Sequence, residues 1–142
     1  MSSSRESIVA HVVSEINSIA SIKKTTRDPV DLTELSRESF PHVYVETANE
    51  TRSNASFSDE VRRVSDMDII INLVVYGANR DQQRNTQLEA IEQKLMEDVT
   101  LGDRCYECTV DEIVIREIGE ADPFGQAAMV IRVRYFYERS NP

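Results

Sequence analysis

Two short stretches hold the residue types that could do chemistry. Cys105 and Cys108 stand three apart in CYEC, and Gly77 separates the apolar run DIIINLVVY from the helical ANRDQQRNTQLEAIEQKL. A reactive or metal-binding CxxC normally opens a helix, whose N-terminus lowers the thiol pKa. This pair instead leads into TVDEIVI, which reads as a strand, where residues three apart point to opposite faces. Zinc would need two further ligands, and the two histidines, His11 and His42, fall in other elements. The spacing predicts ordinary packing for both thiols and no metal site. Gly77 stands alone, without the further glycines of GxGxxG or GxxxxGK[ST] that let a backbone approach a phosphate. A turn conformation is reason enough for it. Arg80 and Arg84 could draw an anion to the helix start, yet Asp81 and Glu89 are equally within their reach.

No catalytic set emerges from the remaining titratable groups. His11 falls on a helix flank and His42 beside a proline, and no Ser, Cys or Asp can be argued as a partner for either. Glu117, Glu120 and Asp122 cluster in a polar turn, whereas a general acid needs an apolar setting to raise its pKa. The expectation is a protein that is not an enzyme and uses no cofactor.

The elements that would position these groups follow from periodicity. Ile8, Val12, Ile16, Ile19 and Ile22 form one stripe of an amphipathic helix over residues 4–23. TTRDPVDLTELSRESF reads as a loop with a helical turn at LTEL, and FPHVYVETA as a strand. Residues 49–66, NETRSNASFSDEVRRVSD, lack apolar periodicity and read as a long polar loop. After the DIIINLVVY strand, Leu88, Ile91 and Leu95 mark a helix over 81–99. RCYECTVDEIVIREI reads as a strand with a bulge, EADPFG as a turn, and QAAMVIRVRYFYE as the last strand. The order α-β-β-α-β-β predicts an α+β fold, an antiparallel four-stranded sheet with helices packed on one face, as a single domain over residues 1–142.

Composition narrows the function. With 25 acidic against 16 basic residues the net charge is −9, which argues against a protein that coats DNA; Arg62 with Arg63 is the one candidate basic patch. No apolar run approaches the ~20 residues that span a bilayer. MSSSRES lacks the apolar segment of a signal peptide, so a soluble protein made in a cytoplasm is expected. The second face of the sheet is more informative. Ile69, Ile71, Leu73 and Val75 share one apolar face, but the opposite one, Asp68, Ile70, Asn72, Val74 and Tyr76, is mixed. Val130, Arg132, Arg134 and Phe136 repeat the mixture on the last strand, and Tyr44 adds an aromatic. A strand facing open water alternates more cleanly, so this face predicts a subunit interface at Tyr44, Ile70, Val74, Tyr76, Arg132 and Arg134.

The run of elements from about residue 5 to 138 resembles the tail terminator (tail completion) proteins of long-tailed bacteriophages. The resemblance is carried by FPHVYVE, the polar segment, DIIINLVVYG, TQLEAIEQKL, LGDRCYECTVDEIVI and AAMVIRVRYFYE. It is a likeness of pattern, with no signature motif. It implies a ring of identical subunits, typically a hexamer, that ends tail-tube growth and offers a surface to the head connector. DNA would pass only in transit through the channel. The protein would reside in the virion tail, and in the host cytoplasm during assembly. Under it the polar loop, with Arg52, Asn54, Phe57, Arg62 and Arg63, would meet the tail tube protein or the channel; an acidic lumen would suit DNA passage, and Arg62 and Arg63 depart from it. Two other readings stay open: a head–tail connector (stopper or neck) component, and a cytoplasmic small-ligand-binding regulatory domain.

Overall fold

In the first helix, α1 (Ser4–Asn17), Ile8, Val9, Val12 and Ile16 are buried. The computed structural model describes residues 4–28, 39–53, 62–116 and 124–138. α1 ends five residues before the stripe does. Ser18 turns its Oγ onto the Glu15 carbonyl at 2.6 Å, a side-chain bond that competes with helix continuation. The chain goes on in turns closed by Ile19 N–H to Ile16 O and Ile22 N–H to Ile19 O, which still bury Ile22.

Among the described residues five strands follow: β1 (Lys24–Thr26), β2 (His42–Ser53), β3 (Arg62–Tyr76), β4 (Glu107–Arg116) and β5 (Phe124–Glu138), with α2 (Arg80–Met96) between β3 and β4. They form one sheet in the order β1-β2-β3-β5-β4. The expected antiparallel four-stranded sheet is therefore corrected to a mixed five-stranded one. β2, β3, β5 and β4 pair antiparallel, but β1 lies parallel to β2, with Lys24 opposite His42 and Thr26 opposite Tyr44. A strand of three residues shows no period of two, so KTT could not be told from a loop. Long connections such as the one from β1 to β2 are what parallel neighbours require.

The polar segment 49–66 also differs from expectation. Residues 49–53 continue β2 and residues 62–66 open β3. A bulge between Thr47 and Glu50 shifts the β2 register and brings Glu50 and Arg52 to the helix side, opposite Met67 and Ser65. The apolar bulk at that end comes from β5, where Tyr135 is buried, so β2 itself can be polar.

One core lies between the helices and the sheet. Ile8, Val12 and Ile16 of α1 and Leu88, Ile91 and Leu95 of α2 meet Val43, Val45, Met67, Ile69, Ile71, Leu73, Met129, Ile131 and Val133. Gln87, buried beneath α1's exit, accepts a bond from Ser21 Oγ at 2.8 Å.

Candidate functional site

The register places the predicted contact residues on the sheet face opposite the helices and divides them into zones. At one end Val74 is only 2% exposed. Tyr76 stacks on Phe40 at 5.9 Å and meets Phe124 edge-on at 5.3 Å, so these positions belong to an aromatic cluster internal to the subunit. In the middle, half-buried Ile70 lies opposite Val130. Tyr44 is half-buried there too, and burial, followed by the Glu46 carboxylate, pushes its phenol pKa up. Asn72 bridges this zone, donating to Tyr44 O at 3.4 Å and to Glu46 Oε2 at 3.3 Å.

The next zone is charged. Arg132 Nε lies 3.2 Å from Asp68 Oδ1, with Nη2 3.7 Å from Asp111 Oδ2. Arg134 contacts both oxygens of Asp66, at 2.9 and 3.2 Å. Both guanidinium groups are about half exposed, and their carboxylate partners raise their pKa values further. The two arginines and two aspartates alternate at matching positions of neighbouring strands, DMD against RVR, a signal present in the sequence that single-strand reading does not use. At the far end Tyr106 and Phe136, both exposed, pack edge-on at 5.8 Å.

Other expected contact residues lie elsewhere. Arg52 is in strand β2 on the helix side, 2.6 Å from Glu50 and 4.0 Å above the Tyr137 ring. Arg62 and Arg63 open β3 opposite Glu138 and Tyr137. Asn54 and Phe57 lie outside the described residues. Around Arg52 is a hub that periodicity did not reveal. Glu50 accepts from Arg5 at 3.1 Å, Arg52 at 2.6 Å and Tyr135 Oη at 2.9 Å. Burial alone would raise the Glu50 pKa, but the bonds from Arg5, Arg52 and Tyr135 outweigh it and hold the carboxyl at about 2. The hub ties the start of α1 to the far half of the sheet.

The residues first considered for chemistry serve the fold. Gly77 has φ +127°, and a Cβ there would come 3.3 Å from Gln83 Nε2, which donates to Tyr76 O. Arg84 is 2% exposed and turns away from solvent, onto Asp81 at 3.0 Å and the carbonyls of Arg116 and Gln126. Burial pushes Cys105 up to about 12 and Cys108 up to about 11, so both are neutral thiols at pH 7. His42 is buried with Nε2 3.1 Å from Thr26 Oγ1, and burial, then Lys24, lowers its pKa. His11 borders a cleft of about 360 Å³ between the helices, where Glu15 lies within 3.5 Å of it and Lys94 within 3.8 Å of Glu15. Among the described residues no group of His, Cys, Asp and Glu is arranged to hold a metal, and no helix is long and apolar enough to cross a membrane.

No protein-family model matches the chain, and no curated protein sequence matches it. A solved structure, "Virion of native gene transfer agent (GTA) particle", is similar with a TM-score of 0.47 and 15% identity over 88% of this chain and 91% of that chain.

Proposed function

We propose that this chain is a structural virion protein of a long-tailed phage, a tail terminator that closes into a ring on the head-proximal end of the tail tube. The observation that carries the reading is the sheet face opposite the helices, with Ile70 and Val130 half-buried, Phe136 and Tyr106 exposed, and arginines held in place by cross-strand carboxylates. Such a face suits contact with another protein better than contact with water. The sequence resemblance supplies the kind of partner: identical subunits first, then the tail tube protein and the head connector protein. The mechanism is steric. One side of the ring matches the last tube layer, the other does not, and growth stops. The net charge of −9 supports DNA passing through without binding.

Electron microscopy of particles made without the protein tests this reading. Overlong tail tubes are expected. Tubes of normal length that fail to join heads would overturn the terminator role in favour of a connector. Normal, complete particles would overturn both.

A further inference from the structure

Among the described residues, β1 and β4 form the two edges of the sheet, and they differ in charge. β4 presents exposed Glu107, Asp111 and Glu112 against a single arginine, Arg116. At β1 stand exposed Lys23 and Lys24, while the neighbouring Arg27 is engaged by Glu6 at 2.7 Å. β4 is also an apolar edge. Ile113 and Ile115, opposite Met129 and Ala127 on the helix side, remain 42% and 45% exposed. An edge strand with exposed apolar side chains is a template for pairing with another chain. The bulge between Val110 and Glu112 interrupts the ladder, which leaves Glu112–Arg116 as the regular stretch.

Strand direction adds a geometric match. β2 runs with β1, β3 against it, β5 with it and β4 against it. A second copy brought to the β4 edge in the same orientation therefore presents its β1 antiparallel to β4, the pairing with the better hydrogen-bond geometry. The faces agree as well. Lys24 pairs with His42 and shares the open face with Glu112, whereas Thr25 pairs with Val43 and shares the helix side with Ile113 and Ile115.

We propose that the acidic β4 edge of one copy receives the basic β1 edge of the next, with Lys24 toward Glu112 and Thr25 over Ile113 and Ile115. The contact is heterologous, so it repeats from copy to copy. It rests on the assembly reading above and adds a lateral contact to those on the open face.

Two charge-reversed proteins test it, Lys23→Glu/Lys24→Glu and Glu107→Lys/Glu112→Lys, each checked by circular dichroism and sized by light scattering on a column. Wild type should assemble. Each variant alone should be monomeric, because its two edges then carry like charge. An equimolar mixture should assemble again, because unlike edges alternate. If wild type assembles but the variants do so equally well, or the mixture stays monomeric, the edge contact is wrong and the ring reading survives. If wild type stays monomeric at every concentration, both fall. Should a variant not fold, raising the salt on wild type decides instead: assembly must weaken, and assembly indifferent to ionic strength overturns the edge contact.

Discussion

Arg134 reaches across from β5 to Asp66 on β3 with two hydrogen bonds, Nε to Oδ1 at 2.9 Å and Nη2 to Oδ2 at 3.2 Å. A bidentate pair fixes the guanidinium plane, so this exposed arginine is oriented before any partner arrives. Exposed pairs contribute little to folding. Arg134→Glu should therefore leave the denaturation midpoint close to that of wild type while weakening assembly, because Glu would face Asp66 and lie near Glu107. Paired denaturation and light-scattering measurements check this. A large loss of stability with unchanged assembly would remove Arg134 from the contact surface.

Glu50 should make stability depend on acid. Its carboxyl has an ordinary value of 4.5 and is held at about 2 in the folded chain. A depressed folded value means the stabilisation is complete above the unfolded value and is lost as pH falls through the folded one, here between about 4.5 and 2. Screening at half-exposed Arg5 reduces the contribution to about 1–3 kcal/mol. Glu50→Gln should lose that amount at neutral pH and show a flatter stability profile over this window. Urea denaturation across the pH range measures both.

Gly77→Ala should destabilise the subunit. At φ +127° a side chain is strained whatever space surrounds it, and here the added methyl also presses on Gln83. The expected cost is about 1–3 kcal/mol in chemical denaturation, without loss of helix or strand signal.

The thiols should be slow to react. With Cys105 at about 12 and Cys108 at about 11, the thiolate that attacks a disulfide reagent is scarce at pH 8. Thiol titration should give a slow native rate and rapid modification of both cysteines once the chain is denatured.

The sequence made the long apolar elements legible, because Ile8, Val12 and Ile16 or Ile69, Ile71 and Leu73 repeat at the period of the structure they form and are buried as that period requires. The faces of β3 and β5 were equally readable, down to Ile70 and Arg132 sharing one side. What periodicity could not carry was anything fixed by a distant partner. β1 exists because β2 gives three residues a neighbour. Glu50 and Arg52 look like loop residues until Arg5 and Tyr135 are brought to them. Val74 and Tyr76 read as part of the mixed face alone, and nothing local shows that Phe40, far away in sequence, stacks on Tyr76.

The bulge in β2 acts as a parity switch. Before it even-numbered residues such as Tyr44 and Glu46 face the open side, and after it even-numbered Glu50 and Arg52 face the helices. One strand thus serves two surfaces in two reading phases, and a single surplus residue separates them. Paired without the bulge, the same strand would keep one phase throughout. Thr51 would then take the place beside Tyr135, while the carboxylate that gathers two arginines and a phenol would swing to the far side of the sheet. The bulge between Thr47 and Glu50 is consequently what holds that carboxylate on the side of its donors.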